Sequence, residues 1–138
     1  MKKENNLNRP YLIINLVFAG IFISVILYSL VFSASGDNHP IPSGSQLVAG
    51  KTSISTGLSR SFSSIVRFDL ESARRYNPFG IRIFVFFLLQ LLMRLAAIML
   101  CYRAVSWING YAWADAAVTI FLFGIFFYPF FVGLTKQF

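Results

Sequence analysis

Three arginines, Arg60, Arg67 and Arg74, recur every seven residues within Thr56 to Gly80, "TGLSRSFSSIVRFDLESARRYNPFG". A guanidinium is a planar fork that binds oxyanions through two parallel hydrogen bonds. Three of them on one helix face would suit lipid phosphates or the carboxylates of a partner; a solvated polar face is the plainer reading. A second set of polar residues, Gln90, Arg94 and Asp115, lies inside long apolar runs. A charge in such a run faces protein or water and is usually paired. Gln90 and Arg94 are four apart and share a helix face. Asp115 is the only acid in any of these runs, so an Arg94–Asp115 pair is expected. The alternative is that Asp115 bonds Arg103 and Arg94 serves a partner subunit.

Other chemistry is hard to build from this chain. It has one histidine, His39, in a Pro-rich loop, and one cysteine, Cys101, so no intrachain disulfide can form. No nucleophile–base pair, carboxylate cluster, phosphate loop or metal-ligand spacing is present. No catalytic residue, metal or cofactor is expected. The 138 residues are 57% hydrophobic and 12% charged, with sixteen phenylalanines. A soluble core of this size cannot bury that much apolar surface, so lipid is the expected solvent. The net charge of +7 flanks apolar runs instead of forming one stripe. It therefore points to anionic headgroups and away from nucleic acid.

Three elements must carry these residues. After a polar head, 1–10, the uncharged run from Tyr11 to Phe32 spans about 33 Å as a helix, against about 30 Å of hydrocarbon. "SAS" at Ser33 to Ser35 resembles a signal-cleavage site, but the apolar run exceeds a signal h-region. The expected spans are 11–33, 78–102 and 112–134, with a Ser/Gly/Pro loop at 34–55, a connection at 103–111 and a tail at 135–138. Pro129 should kink the third span by freeing the Ile125 carbonyl. Trp107, Tyr111 and Trp113 gather at one interface. Gly20 and Ser24 form a small-xxx-small pair that would permit close helix approach.

Residues 56–77 read as a pair of short amphipathic helices lying in the interface. Leu58, Phe62, Ile65, Val66, Leu70, Ala73 and Tyr76 fall on one face, and Arg60, Arg67, Glu71 and Arg74 on the other. Asp69 would sit in the middle of the apolar face, where an unpaired carboxylate is unfavourable. A helix break there turns Asp69 into the N-cap of a second helix, Leu70 to Tyr76. Thr56 would cap the first, about Gly57 to Arg67, and Asn77 with Pro78 would start the second span. The fold class is thus an all-α integral membrane protein, with three transmembrane helices and two interfacial helices between the first and second.

The same segment resembles the signature of a family of small bacterial membrane proteins, domain of unknown function 2752. Gly57, Leu58, Arg60, Phe62, Asp69, Asn77 and Pro78 match its pattern, and Ser59 replaces a threonine. The resemblance covers about Ser53 to Leu92. It departs where the family has two cysteines, here Ser53 and Thr56, a proline, here Ile54, and a glycine, here Phe68. Hydroxyls can neither bind a metal as thiolates do nor form a redox pair, so any thiol chemistry of the family would be lost. The resemblance implies a bacterial inner-membrane protein and little about activity.

These features favour a non-enzymatic accessory or scaffolding subunit of a larger membrane complex, with partner subunits or self-association and its arginine segment on lipid headgroups or a partner. The alternatives are an enzyme or carrier acting on lipid headgroups through Arg60, Arg67 and Arg74, and a self-assembling holin-like pore. Lys2, Lys3 and Arg9 in the head favour a cytoplasmic N-terminus, whereas six Lys/Arg from Ser33 through Arg82 pull the other way.

Overall fold

The computed structural model describes residues 8–32, 57–103 and 106–135. They form five helices in the order α1 (Asn8–Val31), α2 (Leu58–Ile65), α3 (Leu70–Tyr76), α4 (Gly80–Tyr102) and α5 (Ile108–Thr135). Among the described residues there is no strand. Helices α1, α4 and α5 are each long and apolar enough to cross a membrane. The protein is an all-α integral membrane protein with two short helices between its first and second spans.

Helix α4 is the centre of the bundle. It packs against α1 on one side and α5 on another, while α1 and α5 barely meet. Its buried face is Ile83, Phe86, Gln90, Arg94, Ala97 and Cys101, a three-and-four spacing that draws one seam down the helix. Helix α1 answers with Asn15, Ala19, Phe22 and Ser29. Phenylalanines fill the rest. The ring of Phe86 meets Phe123, Phe126 and Phe127 of α5, and Phe87 meets Phe22 of α1 and Phe62 of α2. Helix α5 continues through Pro129, whose missing N–H leaves the Ile125 carbonyl without its helical donor. Gly20 and Ser24 both point outward, and nothing approaches Gly20. The small-residue pair is therefore not a helix contact within this chain; the seam runs through residues 15, 19 and 22 instead.

Helices α2 and α3 form a corner against α4. The buried residues of α2 are Ser61, Phe62, Ser63 and Ser64. Its inner face is thus narrower and more polar than the apolar wheel suggests, because small serines let two backbones approach. Ser61 Oγ donates to the Ala73 carbonyl of α3 at 2.8 Å. A Cβ added to Gly80 would overlap Ser61 Oγ and lie 2.7 Å from Ser61 Cβ. The N-cap position of α2 belongs to Gly57, at φ 77° and against the Tyr76 carbonyl, and Thr56 lies outside the described residues.

The helix break comes where the carboxylate demands it. Asp69 N donates to Ser64 O at 3.0 Å and Phe68 N to Ile65 O at 2.9 Å. Those two bonds are a Schellman ending, which requires a left-handed residue at its turn. Phe68 occupies that position at φ 63°. Asp69 then caps α3, its Oδ1 accepting from Ser72 N at 3.0 Å. Asn77 ends α3 in an extended conformation, and its Oδ1 accepts from Phe79 N at 2.9 Å. It caps the turn through Pro78 and Phe79 that leads into α4, so the regular helix begins at Gly80.

Candidate functional site

At the end of the bundle where the α4–α5 connection lies, six polar side chains meet between the three spans. Arg94 Nη2 donates to Asp115 Oδ1 at 2.6 Å and to Thr119 Oγ1 at 3.1 Å. Arg94 Nη1 donates to Asn15 Oδ1 at 2.9 Å. Tyr11 Oη donates to the other carboxylate oxygen, Asp115 Oδ2, at 2.7 Å. Asn15 Nδ2 donates to the Tyr11 carbonyl at 2.8 Å, which orients its oxygen toward the guanidinium. Thr119 Oγ1 lies 3.5 Å from Gln90 Oε1, a long contact that links the last member. The side chains of Arg94 and Asp115 are 8% and 3% exposed, so the pair is withdrawn from lipid and water alike.

The pairing expected from the sequence is thus present, and its alternative with Arg103 is not: the partners of Asp115 are Arg94 and Tyr11. Sequence reasoning missed Tyr11, Asn15 and Thr119. Signals for two of them existed. Asn15 is a lone amide in an otherwise apolar stretch, and Thr119 stands four residues after Asp115 on the same face. The cluster binds α1, α4 and α5 together through opposite charges and four hydrogen-bonding side chains. It has the parts of a clasp. Within this cluster Arg94 Nε is buried with no partner, as is Ser63 Oγ in α2.

The other end carries the arginines. Arg67 does not lie free on a polar face. Its Nη1 donates to Ser63 O at 2.7 Å and Ser29 O at 3.3 Å, and its Nη2 to Leu30 O at 3.0 Å. Ser29 and Leu30 are in the last turn of α1, where carbonyls have no helical donor and the helix dipole attracts a cation. That turn contains no basic residue of its own. Arg67 supplies one from the turn after α2, so it has a structural role that its place on the wheel did not show, while its side chain stays exposed. The absence of a cation in the last turn of α1 was the available clue.

Arg60 and Arg74 are exposed, as is Arg82 at the start of α4. Arg75 forms an exposed pair with Glu71 one turn away, a geometry worth little to stability. The bond from Ser72 holds the Asp69 carboxyl below the usual carboxylate range. Beneath α2, an apolar cleft of about 360 Å³ is lined by Val25 and Tyr28 of α1, Phe62 of α2, Phe87 of α4, and Phe127 and Phe130 of α5. Among the described residues no group of His, Cys, Asp or Glu could hold a metal ion. No protein-family model, curated protein or solved structure matches the chain.

Proposed function

We propose that this small membrane protein is a non-enzymatic accessory or scaffolding subunit of a larger membrane complex. The observation that carries the reading is the exposure of α5. Of its described side chains only Ile108 and Asp115 are buried, and Ile120, Phe121 and Tyr128 are each about two-thirds exposed or more. A span that uses so little of its surface on its own chain has the rest available to lipid and to neighbouring helices. Arg94 no longer supports this reading, because its charge is met by Asp115 within the chain. In its place stand the outward Gly20 and Ser24 and the apolar cleft beneath α2, both suited to close approach by another helix or an acyl chain.

An enzyme or carrier acting on headgroups is less well supported. Arg60, Arg67 and Arg74 are all exposed, but Arg67 is bonded to carbonyls of α1, which leaves Arg60 and Arg74 of the proposed phosphate grip uncommitted. We read these two as contacts to anionic headgroups at the interface, or to a partner's acids. The resemblance to the bacterial family, which would place the protein in an inner membrane, rests on the motif residues alone.

The decisive experiment is affinity purification of the native protein in mild detergent. Co-purification of a defined partner, or of a stable homo-oligomer, is the expected result; a lone monomer would count against the proposal. Orientation is a separate question. We take the head as cytoplasmic on Lys2, Lys3 and Arg9, against the pull of Arg60, Arg74, Arg75 and Arg82 at the opposite end. An impermeant thiol reagent on intact cells should then label Ser59→Cys and spare Asn5→Cys, in a Cys101→Ala background. The opposite pattern reverses the orientation.

A further inference from the structure

Phe68 combines two unfavourable features at one residue. Its backbone sits at φ 63°, in the left-handed region where a Cβ crowds the following carbonyl and glycine is the usual occupant. Its side chain is 92% exposed. The ring therefore contributes almost nothing to packing within the chain, yet it stands where the Schellman turn would be more stable without it. Backbone strain of this kind persists where a side chain serves something outside the local fold.

The position identifies what that is. Arg67, the preceding residue, is held on the carbonyls of Ser29 and Leu30 and, at 3.4 Å, of Phe32. The corner between α2 and α3 is thereby fixed at the level where the first span ends, which is where hydrocarbon gives way to headgroups. Leu70, two residues on, is 49% exposed, and the exposed Arg60, Arg74 and Arg75 lie on the two helices that meet at the corner. An aromatic ring at the end of a span, with cations around it, matches the chemistry of an anionic bilayer surface.

We propose that Phe68 is a membrane wedge: its ring inserts at the boundary of headgroups and acyl chains and pins the α2–α3 corner to the bilayer. The strained turn aims it there. This rests on the interfacial reading of α2 and α3 given above and adds to it the residue that enters the lipid.

The test uses the full chain with Trp107→Phe and Trp113→Phe, so that one introduced tryptophan reports alone. Phe68→Trp and, separately, Leu70→Trp are reconstituted into vesicles of phosphatidylglycerol and phosphatidylcholine, with and without brominated acyl chains. Phe68→Trp should lose most of its emission to the brominated lipid and little to aqueous acrylamide. Quenching by acrylamide but not by bromine would overturn the wedge. If Leu70→Trp still met the bromine, the interfacial reading would stand without it; if both reporters met only acrylamide, that reading would fall too. Protection of Phe68→Trp from both quenchers would mean that protein covers the ring, and would equally overturn insertion into lipid.

Discussion

Removing the carboxylate of Asp115 tests the clasp most directly. In the folded protein Arg94 has an anionic partner at 2.6 Å and two neutral acceptors, Asn15 and Thr119, at 2.9 and 3.1 Å. Asp115→Ala keeps the neutral acceptors and leaves a guanidinium, 8% exposed, without a counter-charge. Breaking a buried pair from one side costs about 3–5 kcal/mol. Arg94 lies about 12 Å from the end of α4, so some snorkelling toward the interface can relieve the charge; the lower bound is then about 2.5 kcal/mol. Across this range the unfolding equilibrium shifts by about two to four powers of ten. Arg94→Met should be comparably harmful, because it strands Asp115 with Tyr11 as its only donor. The double variant Arg94→Met/Asp115→Ala buries no charge and should be more stable than either single variant, since an intact buried pair roughly breaks even against apolar replacements. Denaturant titration in mixed micelles, followed by helical circular dichroism, gives the four free energies of this cycle. Strict additivity, or an Asp115→Ala loss under about 1 kcal/mol, would refute the claim that this pair is buried and mutually dependent.

Arg67→Met keeps the aliphatic stem but removes the donors for the last carbonyls of α1; thermal unfolding should report a loss of about 1–2 kcal/mol, partly restored by Arg67→Lys. Gly80→Ala drives a methyl into Ser61 and should cost about 1–3 kcal/mol. Ser61→Ala should not rescue it, because the Ser61 Cβ is itself 2.7 Å from the new atom, whereas Ser61→Gly should rescue it in part. The Asp69 carboxyl is held low in the folded state by Ser72, so its capping contribution is fully present above the ordinary carboxylate value of about 3.9. It fades as pH falls through that value toward the lowered folded one. Acid titration of helicity should show this step in the parent and lose it in Asp69→Asn.

Much of this architecture was legible one residue at a time. The three spans follow from uncharged length measured against the bilayer. The break between α2 and α3 follows from Asp69, because a carboxylate cannot occupy an apolar face and can cap a helix. The pairing of Arg94 with Asp115 is the favoured of two readings, the other being Asp115 with Arg103, because there is one deep cation, one acid within a span, and a hairpin short enough to bring them together; the structure decides for it. Each of these is a local or pairwise constraint, and local constraints are written in composition and spacing.

Other features needed the assembled chain. Helix α1 is apolar nearly all round, so periodicity could not say that Asn15 and Ser29 face inward while Gly20 and Ser24 face out. In a lipid-solvated bundle both faces are greasy, and only the neighbours decide which is buried. Likewise, the wheel puts Arg67 on a polar face, but the carbonyls that claim it belong to a helix more than thirty residues away. The composition and spacing of the chain determined that it is a helical membrane protein with one internal charge pair and a capped, broken interfacial segment. Tertiary packing alone decided that Tyr11, Asn15 and Thr119 complete that pair and that Arg67 closes α1. Hydrogen-bond satisfaction between distant segments is a property of their juxtaposition, and no single segment carries it.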